Sequence, residues 1–402
     1  MRGKKSGPVE NGSVQVLENG LGNGDKFLSA DTCLHIHRDM VRARAMEERM
    51  IKMSKSGEGY FWLGGPGEEA FNVPLGLLIK KGFGPDFDFI HFHYRNSATM
   101  IAMGMPLEDS IRQMAMTATD PFSFGRNFPG HFCVKEWNIP PVTSVVGVQW
   151  AKAIGTAHVQ KRHGGDGLTV VIGGDAGTHE GDFQSCLIWS TRPGEELPVL
   201  MIVTNNNWGI STSEESQHAE KHISDRGRPY GIPGAVIDGN DPVASWHALK
   251  KAMDYCRNER RPFIIDAKVS RLYGHSSSSG APRSSDPDCI ALFEKRLLSA
   301  GLVDEATLEQ VHADAKAETE QAVDQVMKEP RPRPEDVEKF TYADSPVDAV
   351  YPGDYTGLPN DTPPGQQGVK SVLDMLHAGV NGNGVKAVVQ GKTAPNGSNH
   401  GR

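Results

Sequence analysis

Short runs of apolar residues alternate along the chain with longer segments in which apolar residues recur at helical spacing. Two of these runs, residues 168–172 and 197–204, are rich in Val, Ile, Leu and Met and are separated by about one helix of sequence. Such runs, joined by a helix, are typical of parallel strands that are buried on both faces of a sheet. The pattern therefore predicts an α/β fold with a doubly wound, mainly parallel sheet.

The same pattern predicts the other elements. Asp31 is placed to cap a first helix that runs through residues 40–49, and the glycine-rich turn at residues 64–69 opens a second helix. Residues 87–94 and 262–269 have strand character. Further helices are predicted from about residue 107, over 147–163, after 180, over 242–257 and within 287–328, with loops at 121–141 and 276–285.

The two ends of the chain carry no periodic apolar pattern. Residues 1–28 are rich in Gly, Asn and Lys, and we expect them to form a disordered arm. The proline content rises beyond residue 330, and we expect residues 351–402 to be a mostly disordered tail. One domain with the predicted sheet should therefore occupy residues 29–350.

Composition and charge exclude several classes of function. The net charge of −8 argues against generic binding of nucleic acid. No apolar stretch approaches the length of a membrane span, and the first residues lead into polar sequence without a hydrophobic signal core. The five cysteines are scattered, which fits a reduced, cytoplasmic setting. Walker and Gly-x-Gly-x-x-Gly loops are absent, so the common ATP and nicotinamide sites are not expected.

Polar side chains follow both of the apolar runs. Asp175 closes the first run, and an asparagine cluster at residues 205–207 closes the next. Because ligands of such sheets gather outside the carboxyl ends of the strands, Asp175 and Asn206 should lie side by side. Their oxygens suit Mg²⁺, which takes few protein ligands and completes its shell with phosphate and water oxygens. The glycines around Asp175 would let backbone N–H groups approach a phosphate closely.

The spacing of these residues resembles the thiamine-diphosphate-binding motif, in which a Gly-Asp pair is followed after about thirty residues by Asn-Asn. The resemblance makes Asp175 the acidic metal ligand, Asn206 the amide ligand and the backbone carbonyl of Trp208 the third ligand. The structural alternative is a turn in which the Asp caps a helix, followed by a turn of Asn residues that tolerate left-handed φ. The presence of both halves, each at the end of a strand, favours the cofactor site.

Six segments spread over the chain match one family pattern. They are Tyr94-Arg95, residues 125–131 (Gly-Arg-Asn-Phe-Pro-Gly-His), Gly181-Asp182, Asn205-Asn206, Gly239-Asn240-Asp241 and residues 271–276 (Arg-Leu-Tyr-Gly-His-Ser). With them, residues 31–350 resemble the α subunit of the first component of heteromeric 2-oxo acid dehydrogenases, and the branched-chain enzyme in particular. The resemblance implies the thiamine-diphosphate-binding fold. One departure is Thr204, which stands where the family has an arginine before Asn-Asn and so removes one cation from the phosphate side.

The resemblance implies a role for each matched position. Arg95, with Tyr94, would contact the cofactor diphosphate, because a guanidinium can pair with a phosphate edge through two hydrogen bonds. His275 would touch the diphosphate or assist proton transfer near the thiazolium, and Phe61 would line the acyl pocket. The implied cofactor-binding set is Tyr94, Arg95, Ser144, Val146, Gly174, Asp175, Ala176, Gly177, Asn206 and His275, with Ser144 and Val146 bracketing the aminopyrimidine ring.

The resemblance also implies the reaction and the assembly. With thiamine diphosphate and Mg²⁺, the chain would take part in oxidative decarboxylation of a 2-oxo acid and transfer of the acyl group to a lipoyl group of a partner acyltransferase. The 3-methyl-2-oxobutanoate dehydrogenase of branched-chain amino acid catabolism is the type implied. Activation of the ring needs a glutamate from a second domain, for which this chain has no room. A separate β subunit would supply it, so the working unit is expected to hold two α and two β chains.

Three other functions remain open at this point. The nearest keeps the cofactor but acts on pyruvate or acetoin. The second is a non-catalytic assembly subunit of the same fold, which Thr204 keeps open and which the intact Asp175, Asn206, Arg95 and His275 disfavour. The third is a Mg²⁺-dependent phosphotransferase, which is disfavoured because the chain lacks a phosphate loop with a lysine.

Overall fold

The computed structural model describes residues 17–18 and 28–339 of the 402-residue chain. Within those residues the α-helices are α1 (Ala30–Ser56), α2 (Glu69–Leu78), α3 (Ser97–Ala102), α4 (Leu107–Ala115), α5 (Val148–Arg162), α6 (Gly181–Ser190), α7 (Pro242–Glu259), α8 (Cys289–Ser299) and α9 (Glu305–Val326). Shorter 3₁₀ helices are formed by Lys135–Trp137, Ala176–His179, Glu214–Ser216, Ile223–Tyr230, Ser277–Ser279 and Pro334–Glu338.

The strands form one parallel sheet and one small hairpin. They are β1 (Leu17–Glu18), β2 (Phe89–His91), β3 (Thr169–Gly174), β4 (Val199–Asn205), β5 (Trp208–Gly209), β6 (Thr212–Ser213), β7 (Gly234–Asp238) and β8 (Phe263–Lys268). The sheet has the order β1-β7-β8-β4-β3-β2 with every neighbouring pair parallel, and β5 pairs with β6 antiparallel. Helix α6 links β3 to β4, and α7 links β7 to β8, as crossovers between parallel neighbours require. The prediction of a mainly parallel α/β sheet is confirmed.

Helices cover both faces of this sheet. Val170 and Ile172 of β3 belong to one hydrophobic cluster, which includes side chains of α1, α2 and α7. Val171 belongs to a second cluster, which includes side chains of α5 and α6. Side chains alternate between the faces of a strand, so the sheet lies between two layers of helices. This is why its strands read as continuous apolar runs in the sequence.

The start of α1 differs from the prediction. Ser29, not Asp31, is the N-cap, and the Ser29 Oγ accepts a hydrogen bond from the backbone N–H of Thr32 at 3.2 Å. Asp31 lies in the first turn, where a negative charge interacts favourably with the positive end of the helix dipole. Both residue types are good caps, and backbone geometry decides between them.

The strand predicted at residues 87–94 is also shorter than expected. It is confined to Phe89–His91 because the chain turns directly afterwards, with the N–H of His93 donating to Asn96 Oδ1 at 2.9 Å. Helix α3 follows the turn at once and was not predicted. The turn brings the Tyr94-Arg95 pair to the carboxyl end of β2, where it can contribute to a site.

The chain divides into two units, one ending at Pro332 and one beginning at Arg333. In the second, the N–H of Arg333 donates to Asp336 Oδ2 at 2.8 Å. Apart from residues 17, 18 and 28, the expected N-terminal arm lies outside the described residues, as do the tail at 351–402 and the boundary at 350, so all three stay predictions. Among the described helices, none combines the length and apolar character that crossing a lipid bilayer requires.

Candidate active site at the carboxyl ends of the strands

A cavity of about 530 Å³ opens where the chain leaves β2, β3 and β4. It brings together most of the residues that the sequence singled out. The predicted site residues in its lining are Phe61, Tyr94, Arg95, Ser144, Val146, Gly174, Asp175, Ala176, Gly177, Trp208 and His275. The remaining one, Asn206, is not part of the lining and is buried.

Asp175 directly follows β3. Gly174 pairs with Thr204 in the parallel register of β3 and β4, so Asp175 and Asn206 follow neighbouring strand ends. The Asp175 side chain makes no capping hydrogen bond to the 3₁₀ helix after it, and its Oδ2 is buried without a hydrogen-bond partner among the described residues. Burial raises the pKa of Asp175 to about 6. A buried carboxylate oxygen with no partner suits a cation ligand better than a helix cap.

The asparagines after β4 have different tasks. Asn207 has φ of 65°, in the left-handed region that asparagine tolerates, and its N–H donates to Asn205 Oδ1 at 3.1 Å. Asn206 instead has a buried side chain, whose Oδ1 accepts from the N–H of Trp208 at 3.2 Å. An amide oxygen has two lone pairs, so one stays available to a cation. Asn205 and Asn207 therefore stabilise the turn, whereas Asn206 is suited to bind a cation.

The Tyr94–Arg95 turn packs tightly against two glycines. A Cβ at Gly65 would lie 2.7 Å from the Arg95 carbonyl oxygen, and a Cβ at Gly130 would lie 2.3 Å from the Tyr94 carbonyl oxygen. Only glycine lets both loops approach the turn this closely. Arg95 is buried, and its Nη2 donates to the Tyr94 hydroxyl at 2.8 Å. The Arg95 Nε has no hydrogen-bond partner in the part of the chain that the structure describes.

Glu68 is a site residue that the sequence reasoning missed. It is 1% exposed, and its Oε1 lies 3.6 Å from Arg95 Nε and 3.5 Å from Asn206 Nδ2. Burial raises its pKa to about 7, although the charge of Arg95 opposes this. Glu68 therefore positions Arg95 and Asn206 at once. In the sequence, the only hint of a role for Glu68 is that it lies next to another glutamate, Glu69, at the start of α2.

Three histidines line the cavity: His93, His131 and His275. His275 lies in the loop after β8, with its ring edge-on to Tyr94 at 6.0 Å between centroids and its Nδ1 buried without a partner among the described residues. Burial and the charge of Arg95 lower the pKa of His275 to about 4, so the ring is neutral at neutral pH. His131 Nε2 lies 2.7 Å from Ser144 Oγ and so fixes the position of that hydroxyl. The sequence placed His131 in a matched segment without assigning it a role.

An apolar wall completes the cavity. Phe61 packs edge-on against Phe128 at 5.2 Å between ring centroids, and Leu63 and Val142 line the same cavity. Part of the border faces solvent, and we call it the exposed rim: Val145, Val146 and Ile210 are 67%, 61% and 61% exposed, and Trp208 is 39% exposed. The cavity is thus apolar on one side, polar on another and open at the rim.

The residues present fit a magnesium diphosphate. Asp175 Oδ2, Arg95 Nε and His275 Nδ1 are buried atoms of residues that line one cavity. Each of the three lacks a hydrogen-bond partner within the described chain. An anion would satisfy the guanidinium and the imidazole, and a cation would satisfy the carboxylate. Gly174 and Gly177 leave the backbone beside Asp175 open to a phosphate, because a Cβ at either position would meet no atom closer than 3.8 Å.

The fold is a parallel α/β domain whose strand ends carry residues that fit a diphosphate and a cation. A family model described as dehydrogenase E1 component matches residues 37–335. The chain therefore belongs to the dehydrogenase E1 component family. The family resemblance that the sequence motifs carried is confirmed.

Individual relatives point to the same family. The chain is 28% identical over 327 residues to 2-oxoisovalerate dehydrogenase subunit alpha of Bacillus subtilis, which covers 79% of this chain and 97% of that protein. It is 30% identical over 256 residues to 2-oxoisovalerate dehydrogenase subunit alpha 2, mitochondrial, of Arabidopsis thaliana, covering 64% of this chain and 52% of that protein. It is also 27% identical over 325 residues to pyruvate dehydrogenase E1 component subunit alpha of Staphylococcus aureus, covering 77% of this chain and 83% of that protein.

Proposed function

We propose that this chain is the α subunit of a thiamine-diphosphate-dependent 2-oxo acid dehydrogenase of the branched-chain type. The observation that carries the proposal is the placement of Asp175 and Asn206 at neighbouring strand ends, beside a cavity that Arg95 also lines. A carboxylate, an amide oxygen and a buried guanidinium are groups that bind a magnesium diphosphate. The similarity to 2-oxoisovalerate dehydrogenase α subunits of a bacterium and a plant supports the branched-chain type.

The proposed cation site uses three ligands of this chain. Asp175, Asn206 and the backbone carbonyl of Trp208 would hold Mg²⁺, which completes its shell with phosphate and water oxygens. Arg95, oriented by Tyr94 and Glu68, would bind the diphosphate through its guanidinium, whose Nε has no hydrogen-bond partner among the described residues. Backbone N–H groups of residues 176 and 177 would add to the phosphate contacts.

Thiamine diphosphate supplies the electron sink for decarboxylation when it is bound. The residues of this chain would bind the diphosphate of the cofactor, orient the rings of the cofactor and exclude water from the apolar side of the cavity. Ser144, held by His131, and the backbone of Val146 would border the aminopyrimidine ring. His275 is neutral, so it can donate one hydrogen bond to the diphosphate or exchange a proton near the reacting ring.

The substrate is expected to be a 2-oxo acid with a branched aliphatic side chain. Phe61, Phe128, Leu63 and Val142 give the cavity an apolar wall that such a side chain would fit. The acyl group would pass to a lipoyl group of a partner acyltransferase. A β subunit would supply the activating glutamate and cover the exposed rim, in an assembly of two α and two β chains. We place this assembly in the cytoplasm.

Loss of the carboxylate ligand tests the cation site. In Asp175→Ala, binding of thiamine diphosphate in the presence of Mg²⁺ and the β subunit should weaken by at least about a hundredfold, because this is the only charged protein ligand proposed. Titration calorimetry measures the affinity. Asp254→Ala, which removes an exposed carboxylate of α7 paired with Lys250, is the control and should bind normally. Unchanged affinity in Asp175→Ala would overturn the cation site.

A substrate panel tests the branched-chain assignment. The chain and its β subunit are supplied with cofactor, an artificial electron acceptor and a series of 2-oxo acids. We expect the highest kcat/KM for 3-methyl-2-oxobutanoate and its homologues, with partial activity on pyruvate, since one methylene in an apolar pocket is worth only about 1–3 kcal/mol. A higher kcat/KM for pyruvate would replace the branched-chain assignment by the pyruvate type. Cofactor binding without turnover of any 2-oxo acid would indicate an assembly subunit.

A further inference from the structure

Three helices meet at two histidines that share one carboxylate, and none of the three residues lines the cavity described above. His37 belongs to α1, Glu294 to α8 and His312 to α9. Glu294 Oε1 lies 2.8 Å from His37 Nε2 and 2.6 Å from His312 Nε2. We call these residues the His–Glu–His cluster.

The cluster has the size of a metal site. Its three ligand atoms, one from each side chain, all lie within 4.8 Å of one another. Zinc binds imidazole nitrogen and carboxylate oxygen at about 2.0–2.2 Å, which places tetrahedral ligand atoms about 3.3 Å apart. The two N–O distances would therefore need to lengthen by only about 0.5–0.7 Å to admit the ion. Side-chain rotation provides movements of that size without a change of the helices.

Burial and access also suit a metal ion. The His37 side chain is 2% exposed, while those of Glu294 and His312 are 20% and 48% exposed, so the cluster is closed on one side and reachable on the other. A second cavity of about 410 Å³ is lined by Glu294 and His312, and it leaves room for a water molecule as fourth ligand. Three protein ligands plus one open position are a common arrangement around zinc.

Four basic and four acidic side chains line the second cavity, so their formal charges balance. Among the basic ones, Arg44 is compensated by Glu69 at 2.7 Å and by Asp288 at 2.9 Å. Two imidazoles with one carboxylate favour Zn²⁺ over Mg²⁺ or Ca²⁺, which prefer all-oxygen sites.

We propose that the His–Glu–His cluster binds one Zn²⁺ ion, with a water molecule as its fourth ligand. The ion would tie α1 to α8 and α9, and so join His37 to a residue 257 positions later in the chain. A link over such a separation stabilises the fold, because a ligand that binds only the folded state shifts the unfolding equilibrium. This site is independent of the proposed cofactor function.

Zinc binding is measured on the full-length chain, first stripped with a chelator and then titrated with ZnCl₂. We expect one equivalent of zinc per chain by metal analysis and a rise in Tm of about 3 °C at saturation. Glu294→Gln and His312→Ala should lose both effects. Because the His312 side chain is 48% exposed, His312→Ala should leave the packing of the helices intact. His35→Ala, which removes a 54% exposed histidine two residues before His37, should keep both.

A further variant separates this site from the cofactor site. Asp175→Ala removes the charged ligand of the proposed Mg²⁺ site and should still take up one equivalent of zinc at the His–Glu–His cluster. The proposal is overturned if the wild-type chain takes up no equimolar zinc. It is equally overturned if His312→Ala binds zinc as tightly as the wild type, or if Asp175→Ala abolishes zinc binding.

Discussion

A buried carboxylate on α1 leads to a prediction about how stability depends on pH. Glu47 is 3% exposed, its Oε2 accepts a hydrogen bond from Trp62 Nε1 at 2.7 Å, and its Oε1 accepts one from Ser97 Oγ. Burial raises its pKa from 4.5 to about 7, against the opposing effect of these hydrogen bonds. The folded state therefore binds a proton at this position more tightly than the unfolded state does.

The sign and size of the effect follow from that pKa. A carboxyl whose pKa is raised on folding contributes stability that is fully present below pH 4.5 and is lost as the pH rises through about 7. At 1.36 kcal/mol for each pKa unit, the whole change is about 3 kcal/mol, and the part between pH 5 and pH 8 is about 2.5 kcal/mol. Glu47→Gln keeps the shape and an acceptor for Trp62 but cannot ionise, so the variant should lose this part of the pH dependence.

Urea unfolding at pH 5 and pH 8 measures the difference, with fluorescence of the buried Trp62 as one probe. Relative to wild type, the free energy of unfolding of Glu47→Gln should be about 2–3 kcal/mol larger at pH 8 than at pH 5, because only the wild type loses stability over this range. Glu48→Gln, at the neighbouring and 39% exposed position, is the control and should keep the wild-type pH dependence. Equal pH dependence in wild type and Glu47→Gln would refute the reasoning.

Three more outcomes are expected from the cavity. Phe61→Ala should lower kcat/KM for branched 2-oxo acids about tenfold more than for pyruvate. Phe83→Ala, at an exposed position, is the control and should show no such difference. An equal loss for both substrates in Phe61→Ala would exclude a role of Phe61 in specificity. Arg95→Lys should weaken thiamine diphosphate binding at least about tenfold in calorimetry, because lysine cannot make the bidentate phosphate pair. The isolated chain should decarboxylate no 2-oxo acid with an artificial acceptor until the β subunit is added, and light scattering should then show the larger assembly.

The strand ends were predictable from the sequence because they depend on local pattern and on sheet register. Apolar runs marked β3 and β4, and parallel pairing of neighbouring strands then placed Asp175 near Asn206. Helix α3 escaped prediction because its six residues are too few to show a period. The five-residue strand β7 was not predicted either.

The burial of Glu68 and Glu47 could not be predicted from the sequence. Glu68 and Glu47 belong to helical or turn segments in which glutamate is usually exposed. Their burial depends on partners from distant parts of the chain, such as Arg95 for Glu68 and Ser97 for Glu47. The His–Glu–His cluster is hidden in the same way, because its members come from three helices that only the folded chain brings together.

The exposed rim affects how much of the protein that a cell synthesises stays folded and functional. Val145, Val146 and Ile210 are each more than 60% exposed at the border of the cavity. Clustered apolar side chains in water favour unwanted association between copies when no partner covers them. Surplus chain made without its β subunit is thus expected to aggregate or to be degraded. The supply of the partner, more than the rate at which this chain is synthesised, would then set the level of functional protein.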